Sequence, residues 1–78
     1  MWLVYLLLCA DQTLYCGITN NLQKRLEKHN AGKGSRYTRA RLPVMVVKIW
    51  DATNKSTALK LEAKIKKLPK DQKLSFTG

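Results

Sequence analysis

Seventy-eight residues make one domain, 1–78, with a single small core and no room for a second specificity domain. An apolar share of 45% excludes a disordered chain. Fifteen Lys and Arg against five Asp and Glu give a net charge of +10 and a pI near 10.0, an excess that points to a polyanion, most often nucleic acid, over a merely soluble basic domain.

Residues 2–9, WLVYLLLC, form a continuous apolar run that fits a strand buried on both faces, although periodicity alone leaves a helix open. The run lacks a basic start and is too short to span a membrane. A turn at Ala10-Asp11-Gln12 leads to a second strand, Thr13 to Ile18, and the two read as a β-hairpin. Gly17 within the second strand marks a bulge or a close backbone approach. Thr19 and Asn20 are N-cap residues for a helix that runs to about Asn30 and stops at Gly32. Leu22 and Leu26 mark its buried stripe, and Arg25 and His29, at i and i+4, share a face at the edge of that stripe. Residues 31–42 read as a basic loop, and Pro43 opens a third strand, VMVVKIW. A loop from Asp51 to Asn54 supplies Thr53 or Asn54 as the cap of a second helix, which runs to Leu68 with Ala58, Leu61, Ile65 and Leu68 on its apolar face; Pro69 ends it. Residues 70–75 add a helical turn, with Leu74 and Phe76 packing back. The order β-β-α-β-α predicts an α+β domain: a small three-stranded antiparallel sheet flanked by helices.

Charge is segregated along this plan. Residues 1–22 carry only Asp11, whereas 23–41 hold seven basic side chains against Glu27, and 54–73 hold seven against Glu62 and Asp71. In the first basic segment Lys33, Arg36, Arg39 and Arg41, with Tyr37 among them, are expected to track a nucleic-acid backbone with salt-sensitive binding and little sequence preference. Cys9 and Cys16 form neither a CxxC pair nor a zinc spacing and no secretory signal accompanies them, so reduced thiols in a cytoplasmic protein are expected.

Five residues carry candidate chemistry. Glu62 lies in a lysine-rich helix at the margin of the apolar face; it reads equally as a surface acid paired with Lys66 at i+4 and as a ligand for Mg²⁺ or Mn²⁺, which takes one or two carboxylates and completes its shell with water and phosphate oxygens. Arg25 is either a surface cation or a phosphate clamp, since a guanidinium fork matches phosphate and keeps its charge. His29, alone, is more often a packed residue; beside Arg25 it can orient a water or shuttle a proton. Tyr5 and Tyr15 are by default sheet aromatics, and either serves as a general base only if nearby positive charge lowers its pKa.

Val4-Tyr5, then Tyr15-Cys16-Gly17 ten residues on, Thr19, Arg25, His29-Asn30 and Glu62 together resemble the GIY-YIG nuclease family, most closely its small single-domain members, which are similar to the nuclease domain of structure-specific endonucleases. The segment from His29 to Gly34 and Tyr37-Thr38-Arg39 strengthens the resemblance, which covers almost the whole chain. It implies a three-stranded antiparallel sheet with helices and phosphodiester hydrolysis with one divalent metal. Carried over by position, Glu62 matches the metal-binding glutamate, Arg25 the catalytic arginine, Tyr5 and Tyr15 the two motif tyrosines, and His29 an active-site position. The motifs depart from the family pattern: Leu3-Val4-Tyr5 stands for Gly-Ile-Tyr and Tyr15-Cys16-Gly17 for Tyr-Ile-Gly, and no asparagine follows Asn54.

The expected function is therefore metal-dependent endonuclease-type hydrolysis of DNA, branched or single-stranded DNA included, in repair or recombination. Glu62 holds the metal, Tyr5 in preference to Tyr15 acts as base with His29 assisting, and Arg25 neutralises phosphate charge. Activity of the domain alone is expected to be weak, with a protein partner supplying specificity. The alternatives are a non-catalytic DNA- or RNA-binding module on the same fold and a basic protein-interaction domain. The assignment makes a geometric demand. A two-residue turn at Asp11-Gln12 would put Tyr5 and Tyr15 on opposite faces of the sheet, so a shared site requires an odd-length loop or a bulge, for which Gly17 is the expected place. All five residues should converge on one shallow basic face.

Overall fold

The computed structural model describes residues 1–77. Three antiparallel strands, β1 (Trp2–Leu8), β2 (Leu14–Thr19) and β3 (Met45–Ala52), form a sheet in the order β2-β1-β3, so the apolar first run is the central strand. Its side chains divide by parity. Val4 and Leu6 face a layer made with Cys16, Trp50, Ala52, Ala58 and Ile65; Tyr5 and Leu7 face the opposite layer with Cys9 and Val44. A run buried on both faces explains why its sequence shows no alternation.

The hairpin turns through three residues, Ala10, Asp11 and Gln12. Cys9 N–H donates to Thr13 O at 2.9 Å and Gln12 N–H to Cys9 O at 3.0 Å. Gln12 takes φ 71°, the left-handed conformation that ends such a loop. Asp11 Oδ1 accepts the Thr13 hydroxyl at 2.6 Å and its N–H at 3.1 Å, stitching the turn. The loop is thus odd in length, and Tyr5 pairs with Gly17 and Leu7 with Tyr15. Pairing is regular through Gly17, which corrects the expected bulge there. The irregularity lies between β1 and β3, where Leu6 pairs with Lys48 and Leu7 with Val46, leaving Val47 as the extra residue.

Helix α1 (Leu22–Asn30) begins one residue later than expected. Asn21 is the N-cap, its side chain accepting from Lys24 N, while Thr19 Oγ1 accepts Asn21 N–H at 3.0 Å and shapes the approach. At the other end Gly32, at φ 78°, donates to His29 O, and Lys33 N–H reaches back to Lys28 O at 2.9 Å, a paired C-terminal cap that only a residue at ease with positive φ completes. The basic loop contains a short helix, α2 (Arg36–Arg39), capped by Ser35. Helix α3 (Lys55–Lys66) is capped by Asn54, as expected, and packs Ala58 and Ile65 on the Val4 side of the sheet; α4 (Lys70–Ser75) follows. Phe76 packs back as expected, with its carbonyl accepting Trp50 Nε1–H at 3.1 Å, but Leu74 is exposed. β3 is the other edge strand. Its outer edge is unpaired among the described residues, and Met45, Val47 and Ile49 are exposed along it.

Asn30, the last residue of α1, ties the helix to β3. Its Nδ2 donates to Val44 O at 3.1 Å and its Oδ1 accepts Val44 N–H at 2.9 Å, so the thirteen residues between them form a closed excursion that carries α2. Val44 is buried, and Asn30→Ala leaves its backbone groups without these partners. The expected cost is about 1–3 kcal/mol, read as a lower urea midpoint at an unchanged denaturant slope.

Candidate active site

The even register places Tyr5 and Tyr15 on the same face of the sheet, with ring centroids 6.4 Å apart. Tyr5 is 1% exposed and Tyr15 forms the half-buried rim. Gly17, the cross-strand partner of Tyr5, is required by the tyrosine: a Cβ there would lie 2.6 Å from Tyr5 Cζ. Burial of a full-size phenol on the face that α1 covers therefore rests on a residue without a side chain opposite it.

His29, from the last turn of α1, is fully buried, deeper than the helix margin its spacing suggested. Its Nε2 meets Tyr5 Oη at 2.9 Å and its Nδ1 meets Thr38 Oγ1 at 2.8 Å. The ring stands edge-on to both tyrosines, with centroids 5.8 Å from Tyr5 and 5.3 Å from Tyr15. A second glycine makes room for it: a Cβ on Gly34 would lie 2.7 Å from His29 Cε1. Arg25, one turn earlier, donates from Nε to Tyr5 Oη at 3.3 Å and from Nη2 to Gly34 O at 3.2 Å. Four of the five expected residues thus meet in one hydrogen-bonded aromatic cluster.

The electrostatics correct one expectation. Burial raises the Tyr5 pKa above its ordinary value and outweighs the lowering by the Arg25 hydrogen bond and charge, so Tyr5 rests as a neutral phenol. Burial, followed by the Arg25 charge, lowers the His29 pKa, so the imidazole is neutral at pH 7 and able to accept a proton. The bond to Tyr5 raises Arg25 further, holding it charged. At rest the site therefore holds a neutral phenol, a neutral imidazole and a fixed cation in one hydrogen-bonded group.

Glu62 stands elsewhere. Helix α3 covers the opposite face of the sheet, and Glu62 lies there behind β2, close enough to Cys16 to add to the burial that pushes that thiol up to about 11. Its carboxylate, 18% exposed, faces Lys66 Nζ at 3.5 Å, the i,i+4 pair that the spacing allows. Among the described residues it makes no hydrogen bond to the tyrosine–histidine cluster; its one ion pair is with Lys66. One strand, β2, carries Tyr15 and Gly17 toward the cluster and Cys16 toward Glu62.

The expected backbone-tracking residues divide in two. Lys33, Arg36 and Arg39 are exposed. Arg41 is already engaged: its Nε lies 2.9 Å from Asp11 Oδ2, its Nη1 donates to Tyr37 O, and its guanidinium lies 3.9 Å from the Tyr37 ring centroid. Tyr37 in turn stacks on Tyr15, with centroids 6.0 Å apart, and is half-buried. An open depression of about 460 Å³ lies at the start of α1, lined by Thr19, Asn20, Asn21, Lys24, Arg25, Glu27, Lys28 and Ala31. It brings solvent to Arg25 on a wall where Lys24, Arg25 and Lys28 face one acid, Glu27. Sequence reasoning missed Thr38, buried against His29, and Gly34. The Ser35-x-x-Thr38 spacing signals a helix cap, but nothing in it points nine residues back to His29.

A basic α+β domain with tyrosines from two adjacent strands bonded to an arginine and histidine of the next helix defines a recognisable class. The chain belongs to the GIY-YIG family, a family of endonucleases: the model described as GIY-YIG catalytic domain matches residues 1–75. Among curated relatives, a UPF0213 protein of Nitratidesulfovibrio vulgaris is 48% identical over 75 residues, covering 96% of this chain and 68% of that one. UPF0213 protein OB0043 of Oceanobacillus iheyensis is 51% identical over 73 residues, covering 94% and 85%. Two solution NMR structures are similar to it: protein EF2693 of E. faecalis (TM-score 0.64, 39% identity, 94% of this chain and 78% of that one) and UPF0213 protein BH0048 of Bacillus halodurans (TM-score 0.58, 37%, 96% and 81%). The family acts on nucleic acid, in keeping with the charge. No helix among the described residues is long and apolar enough to cross a membrane.

The lowered His29 pKa has a consequence for stability. Below the ordinary value of 6.5 the unfolded chain binds a proton that the folded one resists, so stability rises with pH through this window and falls on acidification below it. Asp11, held below its usual value by Thr13 first, acts only at lower pH. Thermal midpoints should therefore fall between pH 7 and pH 5.5, and His29→Gln, whatever its baseline, should flatten that slope.

Proposed function

We propose that this domain is a divalent-metal-dependent DNA endonuclease. The observation that carries the reading is the hydrogen-bonded cluster of Tyr5, His29 and Arg25 beside an exposed basic surface, in a chain of this family. Arg25 lies between the depression at the start of α1 and the cluster, where its fork receives a phosphate and offsets the charge that develops during hydrolysis. Tyr5 takes a proton from the attacking water as its own proton passes to His29 Nε2, so a phenol that stays neutral at rest serves as base. Tyr15 and Tyr37 wall the site, and Lys33, Arg36 and Arg39 grip the DNA backbone.

Glu62 is the residue that would hold the metal. No group of three or more His, Cys, Asp or Glu is clustered among the described residues, so Glu62 would hold the ion without a clustered set of protein ligands. That donor set fits Mg²⁺ or Mn²⁺, which retain water and take phosphate oxygens, and the 3.5 Å spacing to Lys66 leaves the carboxylate loosely held. When bound, the ion supplies Lewis-acid stabilisation of phosphoryl oxygens. The buried, unpaired thiols of Cys9 and Cys16 suit a reducing cytoplasm, and membership of a family of endonucleases supports a role in repair or recombination, with a partner choosing the target. The second reading, a DNA- or RNA-binding module without catalysis, is favoured by one observation: the Glu62 carboxylate pairs with Lys66 and makes no hydrogen bond to the cluster among the described residues.

A panel of single-stranded, duplex and branched DNA with Mg²⁺ or Mn²⁺ tests both. Cleavage by the wild type, reduced at least about 100-fold in Glu62→Ala and in Tyr5→Phe while DNA binding persists, is expected. No wild-type cleavage on any substrate, with salt-sensitive binding, establishes the binding module; no binding at low salt leaves the protein-interaction domain.

A further inference from the structure

The hydrogen bonds around His29 have a direction. Tyr5 Oη accepts from Arg25 Nε–H, and the one acceptor near the phenol's own proton is His29 Nε2. Among the described residues no buried side-chain nitrogen or oxygen lacks a partner, and a proton on Nε2 would leave the Tyr5 hydroxyl hydrogen without an acceptor. Tyr5 therefore donates, Nε2 is bare, and the neutral ring carries its hydrogen on Nδ1. That hydrogen goes to Thr38 Oγ1, which is fully buried. Thr38 has two acceptors for its own hydrogen, both on Ser35: the hydroxyl oxygen at 2.9 Å and the carbonyl oxygen at 3.4 Å from Thr38 Oγ1. Ser35 is fixed as the cap of α2, its Oγ accepting Thr38 N–H at 3.1 Å.

We propose that Thr38, oriented by Ser35, is a positioning residue that accepts from Nδ1 and so, with Tyr5 donating at the other ring nitrogen, holds His29 as the Nδ1–H tautomer, keeping Nε2 free to take the proton of Tyr5. The inference deepens the nuclease reading and rests on it for its purpose, though the hydrogen-bond direction stands apart from any activity. It gives the short helix α2 a role: the four-residue helix exists to present one hydroxyl to the imidazole. Donation runs from Tyr5 through His29 and Thr38 to Ser35, each group handing its hydrogen to the next. When Tyr5 yields its proton, Nε2 gains it and the ring becomes an imidazolium that still donates from Nδ1 to Thr38. A neutral hydroxyl does not stabilise that cation as a carboxylate would, so the proton is held only briefly.

His29 is the sole histidine of the chain, so its ring nitrogens are read without ambiguity by long-range ¹H–¹⁵N correlation at neutral pH. The wild type should show a pyrrole-type Nδ1 and a pyridine-type Nε2; the reverse overturns the proposal. Tyr5→Phe separates the two partners. With Thr38 in control the Nδ1–H tautomer persists there, and a switch to Nε2–H would mean that Tyr5 sets it. Thr38→Val should lose the single tautomer and Thr38→Ser restore it. On a cleaved DNA substrate, kcat should fall about 10- to 100-fold in Thr38→Val with KM unchanged, and recover in Thr38→Ser; an unchanged kcat overturns the positioning role. If Thr38→Val fails to fold by urea titration, the wild-type and Tyr5→Phe spectra decide. Absence of cleavage with the expected tautomers would defeat the nuclease reading alone.

Discussion

Two full-size rings meet inside this domain because two backbone positions beside them carry no side chain. Gly17 lies against the Tyr5 phenol and Gly34 against the His29 imidazole, and a methyl group at either would occupy the space of the ring. The 2.9 Å bond between Tyr5 and His29 depends on both. So does the placement of Arg25, whose guanidinium bridges the phenol and the Gly34 carbonyl. In so small a domain the core and the site are the same atoms: Tyr5 and His29 are among the largest fully buried side chains. Substitutions that disturb the chemistry therefore also disturb packing.

Most elements were legible in the sequence because their signals are local. A β-rich apolar run, a helix with its leucine stripe and a glycine stop, and an asparagine cap before a second helix each need only neighbours along the chain. The shared face of the tyrosines was legible as a demand, and the three-residue turn meets it through Gln12 in a conformation glycine usually takes. What escaped was non-local. The helical wheel places Glu62 at the edge of an apolar stripe but says nothing of which sheet face the stripe covers. Thr38 reads as an ordinary cap residue until the chain folds it under His29.

The reversal at Tyr5 is a matter of magnitude. Near Arg25 a phenol acidifies, and that expectation holds in sign; burial acts on the same group in the opposite sense and is the larger effect. The same two causes act together on His29. Burial thus leaves the phenol protonated despite the cation, and burial and cation together leave the imidazole bare, the combination in which a hydrogen bond between them has one sense.

The open edge of β3 has a colloidal consequence. Met45, Val47 and Ile49 line a strand whose outer backbone groups are unpaired among the described residues, a surface on which another copy can add a strand. The extra residue at Val47 roughens that edge, and a net charge of +10 on 78 residues pushes copies apart before they touch. That repulsion is strongest at low ionic strength and fades within about 10 Å at 0.1 M salt. The charge that draws the domain to polyanions is thus also its protection against itself. Salt high enough to release a polyanion lifts the protection too, and crowding many copies on one neutralising strand brings their bare edges within reach of one another.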